Sequence, residues 1–129
     1  MRGDECSMAG AKTILIVDDD KDLVDGLRAV LEGCGYRIVA AHDGEAGLKA
    51  ATEEKPDLVL VDMMMPKKSG FLVLEALKTN VSPPPKVIMM TANEGGRHRA
   101  YAEMLGVDDY IRKPFPMDRL IESVHRLIG

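Results

Sequence analysis

Five short runs, at 13–17, 37–41, 58–61, 87–90 and 109–111, are largely aliphatic and partly β-branched, and apolar residues stand next to one another within them. Neighbouring side chains of a strand point to opposite faces, so a run of this kind has no wet face and must be covered on both sides. Between the runs lie segments of helical period. Leu23, Val24, Leu27, Val30 and Leu31 fall on one side of a helix that Asp20 can cap and Gly33 can stop. Asp43 can cap a second helix reaching about Glu54, which Pro56 prevents from continuing, and Ser69 can cap a third carrying Phe71, Leu74 and Leu77. Residues 80–85, with three successive prolines, read as a loop. Tyr101, Met104 and Leu105 mark a fourth helix ended by Gly106, and Pro116 opens a fifth that is expected to bury Leu120, Val124 and Leu127. Strict alternation of strands and helices implies an α/β fold, a (βα)5 doubly wound parallel five-stranded sheet with right-handed crossovers and helices on both faces.

Composition narrows the function. A chain of 129 residues that is 46% hydrophobic fits one packed domain, and 4% aromatic residues with no Trp make its core aliphatic. Residues 1–11 are small, polar and aperiodic and read as a flexible leader, with Met8 as an alternative start, ahead of a domain at 12–129. Arg2-Gly3-Asp4 is a three-residue adhesion motif of the kind that arises by chance. Seventeen basic against 21 acidic residues give a net charge of -4, which removes the cationic surface that direct nucleic-acid or anionic-membrane binding needs. No apolar run approaches bilayer length, so membrane insertion is not expected. Two cysteines, Cys6 and Cys34, are too few for a disulfide framework, so a cytoplasmic location is expected.

In an open parallel sheet, ligands bind beyond the carboxyl ends of the strands. The first strand is followed there by Asp18, Asp19 and Asp20, the third by Asp62, the fourth by Thr91 and the fifth by Lys113. Asp20 reads as a helix cap. Asp18, Asp19 and Asp62 bring three negative charges together and Lys113 returns one positive charge. Like carboxylates at close range oppose each other's ionisation, and a divalent cation relieves that deficit. An all-oxygen donor set suits Mg²⁺, which shares its shell with water and phosphate. One carboxylate then remains to attack phosphorus, with Lys113 and Thr91 placed to neutralise and hydrogen-bond phosphoryl oxygens.

The residues carrying this chemistry form a series of spaced motifs: Ile14-Leu15-Ile16-Val17-Asp18-Asp19-Asp20, Leu58-Val59-Leu60-Val61-Asp62-Met63-Met64-Met65-Pro66 with Gly70, Met90-Thr91-Ala92, Gly106-Val107-Asp108-Asp109-Tyr110 and Lys113-Pro114-Phe115. The chain resembles the response-regulator receiver domains of two-component signalling over about 12–128, nearly its whole length. That resemblance implies the flavodoxin-like strand order 2-1-3-4-5, Asp62 as phosphoacceptor, and Mg²⁺ held by Asp18, Asp19, Asp62 and the backbone carbonyl of Met64. It implies phosphoryl contacts from Thr91 and Lys113, an aromatic switch at Tyr110, a cis bond between Lys113 and Pro114, and lifetime tuning by Met64 and Asn93. The implied partners are a histidine kinase or histidine phosphotransfer protein and a phosphorylation-dependent protein target, read through the fourth helix, fifth strand and fifth helix. Beyond its own phosphorylation and dephosphorylation the chain is not expected to be an enzyme. A stand-alone regulator is expected; the alternative is a receiver from a longer hybrid kinase or transcriptional regulator.

Two rivals share the opening acids. An EF-hand loop starting at Asp18 would need Gly where Leu23 stands and Glu where Ala29 stands. A haloacid-dehalogenase-like phosphatase would use Asp18 and Asp20, but Asp22 departs from its pattern and its later acidic pair is not evident. Met63, Met64 and Met65 point in different directions and read as core and loop filling. Arg97, His98 and Arg99 read as a solvated helix start, and His42 and His125 as surface residues.

Overall fold

Alternation of side chains across five parallel strands produces two cores. The computed structural model describes residues 11–65, 68–92 and 96–129. In chain order the elements are β1 (Thr13–Val17), α1 (Lys21–Gly33), β2 (Arg37–Ala41), α2 (Gly44–Glu54), β3 (Leu58–Asp62), α3 (Gly70–Asn80), β4 (Lys86–Thr91), α4 (Gly96–Met104), β5 (Asp109–Arg112) and α5 (Met117–Ile128). The sheet runs β2-β1-β3-β4-β5 with every pairing parallel, which is the order the resemblance implied. Ile14, Ile16, Leu58, Leu60, Ile88, Met90 and Ile111 face α1 and α5, meeting Val24, Leu27, Leu31, Leu120, Val124 and Ile128. The intervening residues Leu15, Val17, Val59, Val61, Val87, Met89 and Tyr110 face α2, α3 and α4, meeting Ala51, Val73, Leu74, Leu77 and Ala102.

The helix starts follow from their caps. The Asp20 carboxylate accepts from the backbone N–H groups of Asp22 and Leu23, the Asp43 carboxylate from Ala46, and the Ser69 hydroxyl from Leu72. Pro116 occupies the cap position of α5. The peptide bonds before Pro114 and Pro83 are both cis.

Several boundaries and faces differ from the sequence reading. β3 and β5 each gain one residue and β4 gains one at each end, because pairing continues through Asp62↔Met90, Thr91↔Arg112 and Leu58↔Lys86 irrespective of side-chain polarity. In α5, Ile128 is buried and Leu127 only partly so, which rotates the buried stripe by one residue at the helix end. In α4 the buried residue is Ala102, while Tyr101 and Met104 are 45% and 80% exposed. Tyr101 instead meets the edge of the Phe71 ring on α3, with centroids 5.0 Å apart. Cys34 is a free thiol; Cys6, the leader's first ten residues and Asn93 lie outside the described residues. Among the described residues, no helix is long and apolar enough to cross a membrane.

Candidate functional site

Strand alternation, continued one residue past β1 and up to the last residue of β3, brings Asp18 and Asp62 to the same side of the sheet as Ile16 and Leu60. One carboxylate oxygen from each of Asp18, Asp19 and Asp62 lies within 4.8 Å of the other two. Asp18 and Asp62 are buried and Asp19 is exposed, so the cluster opens to solvent on one side. Such a set of hard anionic oxygens fits a hard divalent cation. Asp18 is further fixed by its own turn, its carboxylate accepting from the Asp20 N–H at 2.9 Å and its N–H donating to the Ala41 carbonyl.

Lys113 closes the cluster from the β5 side. Its N–H donates to the Thr91 carbonyl, and its Nζ stands 2.8 Å from Asp18 Oδ2 and 3.5 Å from Asp62 Oδ1. Burial pushes the Asp62 carboxyl above the usual carboxylate range and the Asp18 charge adds to this, against the opposing pull of the Lys113 ammonium and the Met64 N–H. For Lys113, burial disfavours the charged form, but the hydrogen bond to Asp18 and the charges of Asp18 and Asp62 outweigh it and raise its pKa. The result is an ammonium that stays charged against an acid cluster.

The other side of the sheet carries a second group. Met63, Thr91 and Tyr110 are all buried, and the Thr91 and Tyr110 hydroxyls lie 3.6 Å and 3.9 Å from the Met63 sulfur. The Arg99 guanidinium sits over the Tyr110 ring, 5.8 Å from its centroid. Burial raises the phenol pKa of Tyr110, against hydrogen bonding from Thr91 and the charge of Arg99.

Of the residues chosen from sequence, Asp18, Asp19, Asp62 and Lys113 meet directly. Thr91 and Tyr110 form the buried group behind them. The Met64 side chain is 69% exposed, and Asn93 is outside the described residues. Arg97 is exposed as expected, but His98 stacks on Phe71, and Arg99 is engaged by both Tyr110 and Glu103. His42 is exposed, with its Nδ1 3.2 Å from the Asp18 carbonyl, a contact that its position after β2 could have suggested.

Two residues named from the sequence, Met63 as filling and Gly70 within a motif, take up positions that the sequence reading did not spell out. Met63 follows Asp62 and therefore falls on the opposite face, toward Tyr110; strand alternation alone could have signalled this. Gly70 packs so closely under the site that a Cβ would stand 2.3 Å from the Asp62 carbonyl oxygen.

The family model described as the response regulator receiver domain matches residues 14–125. The transcriptional regulatory protein CpxR of Escherichia coli (strain K12) is 40% identical over 115 residues, covering 89% of this chain and 48% of that protein. The chain thus spans about half the length of the curated relatives it matches. Among solved structures, a CheY-like response regulator receiver domain protein from Methanospirillum hungatei JF-1 shares 32% identity at a TM-score of 0.84, covering 89% of this chain and 91% of that one. A Burkholderia pseudomallei response regulator protein, solved with a phosphorylated aspartic acid, calcium ion and citrate, shares 26% identity at a TM-score of 0.80, covering 87% of this chain and 65% of that one. The motif series, the 2-1-3-4-5 sheet and these likenesses agree, and the chain belongs to the response-regulator receiver-domain family of two-component signalling proteins.

Proposed function

We propose that this chain is a phosphorylation-controlled switch in which Asp62 accepts a phosphoryl group with the help of Mg²⁺. The observation that carries the reading is the meeting of three carboxylates and one lysine at the carboxyl edge of the sheet. Asp18, Asp19 and Asp62, with the Met64 carbonyl, would hold the cation, which when bound supplies positive charge to phosphoryl oxygens. An Asp62 carboxylate oxygen forms the new bond to phosphorus as the bond from phosphorus to the donor's leaving atom breaks, imidazole nitrogen for a histidine kinase or histidine phosphotransfer protein. The Lys113 ammonium and the Thr91 hydroxyl stabilise charge on the transferred group. The phosphorylated aspartate of the Burkholderia relative supports this assignment. Met64 and Asn93 would set how readily water reaches phosphorus.

The output would be a changed surface formed by α4, β5 and α5, with Tyr110 as its internal switch and a protein target that distinguishes the two states. The chain would catalyse only its own phosphorylation and dephosphorylation and act in the cytoplasm without direct nucleic-acid contact. Whether a further domain accompanies it in the whole protein is decided by the reading frame beyond Gly129.

Incubation with acetyl phosphate and Mg²⁺ is expected to add one phosphoryl group, measured by intact mass, and Asp62→Asn to abolish it. A label that survives Asp62→Asn and vanishes with Asp18→Asn would replace this reading with the phosphatase-like one.

A further inference from the structure

We propose that a groove at the amino ends of the strands, at the opposite end of the sheet from the acid cluster, binds a small organic anion with an apolar body. The groove holds about 510 Å³, a size within the ~300–1,000 Å³ usual for small-molecule sites. Val81 and the successive Pro83, Pro84 and Pro85 line it from the segment after α3, and Leu127 and Ile128 line it from the end of α5. The prolines contribute carbon surface and no N–H donors. The charged residues of the lining are Lys12, Lys55 and Lys86 against Asp57, so three positive charges meet one negative and leave a surplus of two. That surplus stands out on a chain of net charge -4. The Asp57 carboxylate also accepts from the Thr13 N–H at 2.9 Å, which ties it to the backbone of β1. An anion with a carbon skeleton gains from the lysines and covers the apolar wall at once. A neutral ligand gains only the second, and a compact inorganic anion only the first.

The walls are fixed from behind. Lys78 Nζ donates to the Pro85 carbonyl at 3.0 Å and to Asp108 Oδ2 at 2.7 Å, and the same Asp108 oxygen accepts from the Val87 N–H at 2.8 Å. The proline segment is thereby tied to α3, to β4 and to the turn before β5. Across the lining, Lys55 ends α2 with a φ of 49°, its N–H donating to the Ala51 carbonyl at 3.1 Å. Among the described residues it is the one non-glycine residue at positive φ, a conformation that glycine takes without the cost of a Cβ. The chain thus carries a cationic side chain into the groove from a backbone position that favours none. A site held in place in this way loses little ordering entropy when a ligand enters. Asp57 precedes β3 and Asp62 ends it, which sets the groove roughly 16 Å along the strand from the acid cluster. The inference therefore stands apart from the function proposed above.

The test titrates the full chain with anilinonaphthalene sulfonate, an aromatic anion that fluoresces in apolar surroundings, and in parallel with its uncharged relative N-phenylnaphthylamine. The sulfonate should bind saturably at one site per chain. On its addition the amide resonances of Lys55, Asp57, Lys86 and Leu127 should shift, and those of Asp18, Asp62 and Lys113 should stay in place. Lys55→Gly combined with Lys86→Gln should weaken the sulfonate about tenfold and leave the affinity of the uncharged dye within about twofold. Glycine suits the Lys55 backbone, so the double variant should melt no lower than the parent, and its weaker binding is then a loss of charge rather than of fold. Lys49→Gln, at an exposed lysine of α2 outside the groove, should leave both affinities unchanged. Equal loss for the two dyes, full sulfonate affinity in the double variant, an equal loss in Lys49→Gln, or binding without saturation would each overturn the proposal. If the double variant does not fold cooperatively, the resonance shifts of the parent decide: shifts centred on the acid cluster or spread evenly over the chain overturn the assignment. Failure of acetyl phosphate labelling would sink the proposed function and leave these readouts intact.

Discussion

Gly70→Ala and Gly26→Ala make the same chemical change at two helical positions, yet should move stability in opposite directions. A Cβ on Gly70 would stand 2.3 Å from the Asp62 carbonyl oxygen, 2.8 Å from the Met63 Cα and 3.0 Å from the Asp62 carbonyl carbon. All three are backbone atoms, so no rotamer change relieves them. Restoring ordinary contact at ~3.5 Å requires a retreat of about 1 Å by the start of α3 or by the Asp62–Met63 unit. That retreat would stretch the bond from the Gly70 N–H to the Met63 carbonyl, now 2.8 Å. Overpacking of this kind costs about 1–3 kcal/mol, and rigid neighbours place Gly70→Ala toward the upper part. At about 4 °C per kcal/mol for a domain of this size, the melting temperature should fall by roughly 8–12 °C. Gly26 lies in exposed helix with nothing within 4 Å of its would-be Cβ. Alanine there should add about 0.5–1 kcal/mol through helix propensity and a less disordered unfolded chain, raising the melting temperature by roughly 2–4 °C. Thermal and urea unfolding of both variants measures the signs, and acetyl phosphate labelling of Gly70→Ala should be slower because the Asp62 backbone is displaced. Equal stability of the Gly70→Ala chain and its parent would refute the close-approach reasoning.

Lys113→Met removes the cation facing the fully buried Asp18, so stability should drop by about 3 kcal/mol without metal; added Mg²⁺ should restore part of it by mass action, and a metal-independent melting temperature would contradict the assigned site. Burial raises the Asp109 carboxyl, but hydrogen bonds from Ser123, Arg119 and the Tyr110 N–H outweigh it and leave the pKa below its usual value. A lowered folded pKa contributes stability that is complete above the ordinary value of ~3.9 and lost as pH falls through the folded one, so Asp109→Asn should cost stability at neutral pH and flatten the loss below pH ~4; parallel acid limbs in urea titrations would contradict this. Met64→Asn should shorten the phosphorylated lifetime several-fold, because a flexible apolar side chain is exchanged for one able to orient water; an unchanged or longer lifetime by intact mass would reject the shielding role.

The fold was legible because its two strongest signals are local. Asp20, Asp43 and Ser69 cap the helices they were expected to cap, since a cap is decided within four residues. The acid cluster was legible for a related reason: Asp18, Asp19, Asp62 and Lys113 follow strands whose direction is shared, so their spacing in sequence translates into one edge in space. Strand order was not local information and came from family resemblance. The helix at α4 was legible, but which of its residues is buried was not, for a physical reason. Its buried residue is the small Ala102, whereas Tyr101 gains its contact from the edge of Phe71 and remains partly wet. An apolar pattern marks the helix but cannot say which apolar residue the sheet will accept.

Sheet register accounts for what local patterns left hidden. Asp62 pairs with Met90 and Met89 with Tyr110, so the residue after Asp62 arrives beside the residue after Met90, with Tyr110 behind both. Asp62 lies on the α1 and α5 side, Met63 on the side of α2, α3 and α4. Asp62 of the acid cluster and the buried Thr91 and Tyr110 side chains therefore point to opposite faces of one sheet. Strand pleating makes that separation unavoidable: whatever residue follows Asp62 must point to the face where Thr91 and Tyr110 already stand. A displacement of the Asp62–Met63 backbone is then felt on both faces, with no chain of intermediate contacts between them. Gly70 sits close beneath this peptide unit, and hydrogen bonds tie Met63 to Met90 and Gly70, so such a displacement strains the start of α3 and the end of β4 as well.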